Sequence, residues 1–283
     1  LRLWVALFRG VVVWINHLAR GGVSVARAVE SAGGNLVETV DDGQGGQFLV
    51  TAFVKARGQK PWLVGWTPAR YEGYGRLIGK MHALAVGYHP PDAAWKRPEW
   101  DDAEMQFVER YLPASEGIAR EKYEELIQHI NSLPKDAGSY GLIHQDAHQN
   151  NFFMDTDGTL TLFDFDDCAY SWFVSDIAIV LFYIAFDAEE LGFPTMEAFT
   201  ADFMPHFLRG YREEYALEDR WLKEIPHFLK LRELELYAVV HRDFDVAQID
   251  DGWIANFMRG RKARIEAGLP FMDVDFEFFL LEC

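Results

Sequence analysis

The stretch that decides the fold covers residues 141–167 and reads GLIHQDAHQNN followed by FFMDTDGTLTLFDFDD. Two short apolar runs flank Asp157-Gly158, a dipeptide that favours two-residue turns between antiparallel strands. If this dipeptide forms the turn, counting outward along the two strands places Asn151 directly opposite Asp164. The pattern therefore predicts a loop, a strand, a tight turn, a second strand and a second loop.

Three polar residues gather around this predicted hairpin. Directly opposed residues in an antiparallel pair have Cβ atoms about 5 Å apart, so the Asn151 amide oxygen and the Asp164 carboxylate can share one cation. Mg²⁺ is a hard cation that prefers such oxygen ligands. Asp146 precedes the first strand by a few residues and is expected at the mouth of the same site. The hairpin predicts a magnesium site beside a further carboxylate.

The spacing within the stretch matches a known catalytic loop. His144-x-Asp146, with Asn151 five residues after the aspartate, resembles the kinase motif H-R-D-L-x-x-x-N, and Asp164-Phe165-Asp166 stands where kinases carry D-F-G. The residues within these two segments are more similar to those of the aminoglycoside phosphotransferase and choline kinase-like family, which includes bacterial homoserine and serine kinases. The resemblance extends to residues 172–178, where that family places a buried aspartate, here Asp176, ahead of a helix.

This resemblance implies a fold. We expect an α+β, bilobal, protein-kinase-like fold, with a small antiparallel-sheet N-lobe at residues 1–56 and a larger, mainly helical C-lobe at residues 57–283. The N-lobe reads as incomplete, because the family's glycine-containing phosphate loop would lie earlier than Leu1. We therefore expect that residues upstream of Leu1 are missing.

The resemblance also implies roles around ATP and Mg²⁺. Asp146 is expected to be the catalytic base that orients a substrate hydroxyl and accepts its proton, while Asn151 and Asp164 hold Mg²⁺ on the ATP phosphates. Adenine is expected against the backbone of residues 53–56, above a floor formed by Leu162 or Phe163. The expected nucleotide-binding residues are Arg2, in a role usually taken by lysine, and Phe53, Val54, Lys55 and Phe163.

The other polar residues of the motif are expected to support the loop. Asp167 and Asp176 are expected to accept backbone hydrogen bonds, and His144 to pack beneath the loop. Asp166 has two open roles, either as a contributor to a second metal or as a cap of the following turn.

One departure from the family pattern concerns the first helix. The helix predicted over residues 4–20 has no acid at Arg9-Gly10-Val11-Val12-Val13, where the family carries a glutamate that pairs with the phosphate-binding cation. If the pair is missing, the positioning of the phosphates is in doubt. A kinase fold used for binding or scaffolding, without catalysis, is therefore one alternative.

A zinc-dependent hydrolase is the alternative from another chemical class. His144-x-Asp146-x-His148 places three ligand-type residues in alternation, and a catalytic zinc takes three protein ligands and a water. This interpretation leaves Asn151 and the Asp164-Phe165-Asp166 segment without a role. Tightly held zinc would distinguish it from a kinase with loosely held magnesium.

Composition narrows the range of partners. The 283 residues are 49% apolar and 25% charged, as in ordinary globular proteins, and the net charge of −17 argues against binding nucleic acid or anionic membranes. No apolar run reaches the ~18 residues of a membrane span, and two cysteines make no disulfide framework, so we expect a cytoplasmic protein. The later helices, which are expected to line the acceptor site, hold acids such as Asp187, Glu189 and Asp250 as well as aromatic residues such as Tyr183 and Trp253. Acids and aromatics together favour an amine-bearing alcohol as the small-molecule acceptor.

Overall fold

The computed structural model describes residues 2–250 and 252–280, with side chains described from residue 5 to residue 279 except at 251. The N-terminal part begins with a long helix, which is followed by four short strands in two antiparallel ladders. These elements are α1 (Arg2–Arg20), β1 (Ala28–Val29) paired with β4 (Ala52–Phe53), and β2 (Glu38–Asp41) paired with β3 (Gln47–Val50).

Four further strands form the centre of the molecule. β5 (Tyr140–Ile143) pairs antiparallel with β8 (Ala169–Trp172), and β6 (Phe152–Met154) pairs antiparallel with β7 (Leu160–Leu162). The loop between β5 and β6 carries the first half of the motif, and the segment between β7 and β8 carries the second half. The two ladders therefore bring both halves of the motif together.

The rest of the chain is mainly helical. The helix that follows Thr67 begins at Pro68, since a proline lacks an N–H that the first turn would leave unpaired anyway. The helices are α2 (Pro61–Val64), α3 (Pro68–Ala85), α4 (Phe107–Tyr111), α5 (Gly117–Asn131), α6 (Phe173–Phe186), α7 (Met196–Glu214), α8 (Ile225–Asp243), α9 (Gly252–Met258) and α10 (Arg261–Glu266).

Helix α6 lies in the hydrophobic core. Most of its residues are buried, as expected for a helix that is apolar on every side. It packs against α7, α8 and β5. Even so, within the described ranges neither α6 nor any other helix is long and apolar enough to cross a membrane.

The small N-terminal strands are attached to the β6–β7 hairpin at two places. Ahead of β1, the Ala26 N–H donates to the Leu162 carbonyl oxygen at 2.8 Å. After β4, Gln59 exchanges two backbone hydrogen bonds with Met154, at 3.0 and 2.8 Å. Gly58, with φ +92°, allows this second contact, because a Cβ there would lie 2.2 Å from the Met154 carbonyl oxygen.

Helix α1 docks on the end of α3 and on the loop that follows it. The Trp14 side chain is fully buried, and its ring lies 4.5 Å from that of Tyr88. His17 Nε2 donates to the Leu84 carbonyl oxygen at 3.2 Å. These contacts join α1 to the helical part of the molecule.

Helices α3 and α7 approach to backbone contact through glycines. A Cβ on Gly75 would lie 1.9 Å from the Phe207 carbonyl oxygen, and a Cβ on Gly210 would lie 1.9 Å from the Glu72 carbonyl oxygen. No side chain larger than hydrogen fits at these two positions while the helices keep this distance.

We expect Gly75→Ala to lower the free energy of unfolding by about 3 kcal/mol, because the added methyl group forces α3 and α7 apart. Gly73→Ala is a matched control in the same helix. Its Cβ would meet Leu160 Cδ1 at an ordinary 3.5 Å, and the higher helix propensity of alanine is expected to add up to about 1 kcal/mol. Denaturant unfolding measures both variants, and equal stabilities would contradict the packing argument.

The predicted architecture is confirmed, with small antiparallel strands near the N-terminus and a mainly helical remainder. The sequence alone predicts one helix over residues 100–111 and another over residues 252–267, and both predictions are wrong in extent. Over residues 100–111 only α4 forms, because Asp102 instead accepts the Glu99 N–H in a preceding turn. The second helix is split at Gly260, whose φ of +67° separates α9 from α10.

Candidate active site

The hairpin at the centre of the site has a three-residue turn and not the predicted two-residue turn. The Asp155 N–H donates to the Thr159 carbonyl oxygen at 2.9 Å, and the Gly158 N–H donates to the Asp155 carbonyl oxygen at 3.0 Å. Residues 156–158 therefore form the loop. Gly158 has φ +90°, as is usual for the last residue of a three-residue hairpin loop.

The longer turn shifts the strand register by one residue. Asn151 lies opposite Phe163, whose N–H donates to the Asn151 carbonyl oxygen at 2.8 Å, so the prediction that Asp164 lies there was wrong. Burial explains the shift. The observed register pairs buried Phe152 with buried Leu162, whereas the predicted register would have paired Phe152 with the half-exposed Phe163.

Asp176 holds the loop between β5 and β6 in place. Its buried carboxylate accepts the backbone N–H groups of His144 and Gln145, at 2.9 and 2.8 Å. His144 adds two further bonds, since Nε2 donates to the Phe163 carbonyl oxygen at 3.1 Å and Nδ1 accepts the Asp146 N–H at 3.2 Å. The supporting contacts predicted for Asp176 and His144 are therefore present.

Two non-glycine residues of the described chain have a left-handed backbone, and both belong to the motif. Gln145 has φ +68° and Asp164 has φ +66°. This conformation costs a residue with a Cβ roughly 1–2 kcal/mol, so the surrounding contacts must hold it. Such strain is concentrated at functional sites.

Asp146 lies at the centre of a polar network. Asn151 Nδ2 donates to Asp146 Oδ2 at 2.9 Å, His148 Nε2 lies 3.2 Å from the same oxygen, and Arg232 donates to Oδ1 at 2.5 Å. Burial acts to raise the pKa of Asp146, but Arg232 and His148 outweigh it and hold this pKa below its usual value. Asp146 is therefore ionised at neutral pH, which is the state that a base requires.

Arg232 and Glu235 of α8 are site residues that the sequence analysis missed. The Arg232 guanidinium donates to Tyr183 Oη at 2.9 Å and lies 3.5 Å from the Glu235 carboxylate. Burial acts to lower the pKa of Arg232, but Tyr183, Asp146 and Glu235 raise it above the ordinary value. Burial raises the pKa of Glu235 to about 7, against the opposing effect of Arg232.

A signal for these two residues does exist in the sequence. Charged residues interrupt the leucines of α8 at residues 229–236. A helix that packs on both sides keeps such charges only where they have partners.

A cavity of about 540 Å³ lies between α1, the segment after β4 and the β6–β7 hairpin. Four predicted nucleotide-binding residues line it together, namely Phe53, Val54, Lys55 and Phe163. α1 contributes apolar side chains to the lining, and Asp164 and Asp166 add two carboxylates. An apolar cavity that also holds acidic groups suits an adenine ring with metal-bound phosphates.

The resemblance implies that Arg2 ends the strand ahead of the first helix, and this prediction is wrong, because Arg2 is the first residue of α1. The Arg2 side chain lies outside the described residues. α1 contains no acidic residue, so α1 does not supply the glutamate that the family uses to hold its phosphate-binding cation.

The chemistry of the predicted metal ligands fits Mg²⁺. Asn151 bonds to Asp146 through Nδ2, which leaves Oδ1 for a hard cation. Asp164 and Asp166 both line the cavity of about 540 Å³. Desolvation together with Asp164 raises the pKa of Asp166, against the effect of Arg97. A divalent cation stabilises two such carboxylates in their charged form.

A second cavity, of about 260 Å³, opens at Asp146. Tyr183, Arg232, Glu235 and Asp167 line it as well. Asp167 was expected to accept backbone hydrogen bonds, but within the described part of the chain it accepts none, so this expectation was wrong. Desolvation in the cavity and the neighbouring Asp146 raise the pKa of Asp167.

Asp187 ties neighbouring elements to the loop between β5 and β6. Asp187, at the end of α6, accepts hydrogen bonds from Gln149 Nε2 and, at 3.1 Å, from Trp253 Nε1. Asp187 and Trp253 also line a separate cavity of about 410 Å³, together with Glu189 and Glu190. Acidic and aromatic groups predicted near the acceptor are thus brought together there.

The alternative zinc site is not assembled by the described residues. Both ring nitrogens of His144 bond to backbone groups, and the ring is fully buried. His144 therefore has no lone pair directed at an ion that Asp146 and His148 would share.

The small strands, the helical part, the hydrogen-bonded pair of Asp146 and Asn151, and the apolar cavity that Asp164 lines are the features of a phosphotransferase with a protein-kinase-like fold. Residues 4–234 match the phosphotransferase enzyme family, and the chain belongs to this family. It is accordingly an ATP-dependent kinase that uses a divalent metal and transfers a phosphoryl group to a hydroxyl group.

Several known proteins are similar to this chain. Amicoumacin kinase from Bacillus subtilis (strain 168) is 39% identical over 267 residues, which cover 94% of this chain and 79% of that protein. The structure of amicoumacin kinase hAmiN in complex with AMP-PNP, Ca²⁺ and Ami is 34% identical, with a TM-score of 0.85 over 96% of this chain and 81% of that chain. A microcompartment-associated aminopropanol kinase, 22% identical with a TM-score of 0.69 over 92% and 81% of the two chains, shares the fold.

Proposed function

We propose that this chain phosphorylates a hydroxyl group of amicoumacin or of an amine-bearing alcohol, with Asp146 as the catalytic base. The observation that carries the proposal is the network in which Arg232 and Asn151 hold an ionised Asp146 at the opening of a cavity lined by protein side chains. We assign Mg²⁺ to Asn151 and Asp164, and place the lobe boundary between residues 56 and 57. The nucleotide is assigned to Phe53, Val54, Lys55 and Phe163, with Arg2 as a phosphate contact.

The proposed mechanism uses each contact of Asp146. Asn151 fixes the carboxylate by donating to Oδ2, and Arg232 keeps it deprotonated. Asp146 accepts the proton of the acceptor hydroxyl while the hydroxyl oxygen forms a bond to the γ-phosphorus. At the same time the bond between the γ-phosphorus and the ADP oxygen breaks. When bound, Mg²⁺ neutralises charge on the phosphate oxygens.

Asp167 supports the choice of an amine-bearing acceptor. It lines the cavity at Asp146 without an ion pair to any described residue, and partial desolvation and Asp146 raise its pKa against the opposing effect of Arg232. An ammonium group in the cavity would stabilise the charged carboxylate. Amicoumacin is the first acceptor to test because two similar proteins carry it in their names.

ADP release with amicoumacin, choline, aminopropanol and spectinomycin as acceptors tests this function. We expect acceptor-dependent release of ADP and a product one phosphate heavier by mass spectrometry, with the highest kcat/KM for amicoumacin. Turnover with none of these acceptors, combined with magnesium-dependent ATP binding by calorimetry, would overturn the proposal in favour of a non-catalytic binding protein.

A further inference from the structure

Helix α5 ends beside the start of α8 at a cluster of three metal-ligating side chains. His129 lies in the last turn of α5, Glu224 directly precedes α8, and His227 lies in its first turn. One ligand atom from each residue lies within 4.8 Å of the other two. None of the three lines the cavities assigned to phosphoryl transfer.

Both imidazole rings of this cluster are directed at one carboxylate oxygen. His129 Nε2 lies 2.8 Å from Glu224 Oε2, and His227 Nδ1 lies 3.0 Å from the same oxygen. The second contact is not aligned as a hydrogen bond. His227 Nδ1 is shielded from solvent and has no hydrogen-bond partner among the described residues, so the cluster leaves one buried nitrogen unsatisfied.

The two imidazole rings of the cluster lie close together. The ring centroids of His129 and His227 are 4.0 Å apart, so two imidazolium charges at this distance would repel each other. Neutral imidazoles beside a carboxylate are the form in which these residues bind metal ions. The side chains of His129 and His227 are 39% and 40% exposed, so an ion can enter from solvent.

We propose that His129, Glu224 and His227 bind a Zn²⁺ ion that cross-links α5 to α8. Tetrahedral zinc with nitrogen and oxygen ligands at about 2.0–2.1 Å separates neighbouring ligand atoms by about 3.3 Å. The two nitrogen–oxygen distances of 2.8 and 3.0 Å therefore need to widen by only a few tenths of an ångström. The ion would satisfy His227 Nδ1, and water would take the fourth position.

The ligand types separate this site from the magnesium site. Imidazole nitrogens suit zinc and neighbouring transition metals, whereas Mg²⁺ prefers oxygen ligands and releases its water reluctantly. Zinc also binds such ligand sets more tightly than Fe²⁺ does. Excess Mg²⁺ is therefore expected to leave the cluster accessible to zinc.

Zn²⁺ titration of the whole chain by calorimetry, in excess Mg²⁺ and without nucleotide, tests the site. We expect the His129→Gln/His227→Gln variant to bind one ion fewer per chain, or to bind it at least ~100-fold more weakly, since even indirect partners of a metal change its affinity by about 10–100-fold. His89→Gln/His206→Gln is the matched control, because both residues lie outside the cluster. Its zinc binding is expected to equal that of the wild type.

Two further measurements guard against a folding defect. Zn²⁺ at roughly a hundredfold above Kd is expected to raise the Tm of the wild type and the control by about 5 °C, and to leave the cluster variant unchanged. Glu224→Gln replaces one ligand without changing its shape and is expected to weaken zinc binding as well. Equal zinc stoichiometry and affinity in wild type and cluster variant, or no binding by the wild type at roughly millimolar Zn²⁺, would overturn the proposal.

Discussion

Asp146→Asn is expected to lower kcat by about 10²–10⁴-fold, the contribution that a positioned general base makes. The amide cannot take the proton of the acceptor hydroxyl, but it keeps the shape of the carboxylate. Arg232 retains Tyr183 and Glu235 as partners, so the folded state and MgATP binding are expected to persist. A coupled assay of ADP release and calorimetric titration of MgATP measure the two properties.

Asp202→Asn is the matched control for this substitution. Asp202 is exposed on α7 and lines neither the nucleotide cavity nor the cavity at Asp146. The kcat of the Asp202→Asn variant is therefore expected to equal that of the wild type. If Asp146→Asn kept kcat within tenfold of the wild type, Asp146 would not be the base.

Arg232→Met is expected to lower the free energy of unfolding by about 3 kcal/mol, because it leaves the partly buried Asp146 without its cation. The same change raises the pKa of Asp146, since Arg232 is the main group that lowers it. Asp146 must be ionised to act as a base. The acidic limb of the pH–rate profile is therefore expected to move to higher pH in the variant.

The pH dependence of stability has two opposite contributions here. The pKa of Asp146 is lower in the folded chain than its unfolded value of about 3.9. The stability that Asp146 contributes to the folded state is therefore complete above this unfolded value and is lost as the pH falls through the folded pKa. The folded pKa of Glu235 is about 7, above the unfolded value of about 4.3. The stability that Glu235 contributes to the folded state is complete below pH ~4.3 and is lost as the pH rises through 7.

Arg232→Lys separates charge from geometry. Lysine keeps the positive charge but lacks the planar group that reaches Asp146, Tyr183 and Glu235 together, so intermediate stability and a smaller shift of the profile are expected. A double-mutant cycle with Asp146→Asn measures the coupling energy of the pair. A pH–rate profile that does not move in Arg232→Met would contradict the role assigned to Arg232.

Local spacing accounts for what the sequence could predict. The contacts of His144 and Asp176 lie within or next to one motif, and they are found as expected. The grouping of Phe53 to Lys55 with Phe163 follows from the order of elements in a kinase-like chain. The fold class follows from the same motif.

Two errors show where local patterns are insufficient. The hairpin register depends on whether the turn has two or three residues, and Asp157-Gly158 is compatible with both. The alternating burial of Phe152 and Met154 against Leu162 and Leu160 decides it, so weighing the apolar faces would have given the observed register. Arg232 is different, because it lies 86 residues after Asp146, and only the tertiary packing of α8 brings the two together.

The two attachments of the small strands to the hairpin, at Ala26 and Gln59, have a mechanical consequence. Residues 27–57 are also held by α1, because Val12 packs with Ala28 and Val37, and Asn16 Oδ1 accepts the Ala28 N–H at 3.0 Å. α1 in turn is joined to the helical part through Trp14 and His17. Because Val54 and Lys55 of this segment line the nucleotide cavity together with Phe163 of the hairpin, a movement that widens the cavity must also loosen the contacts of the segment with α1.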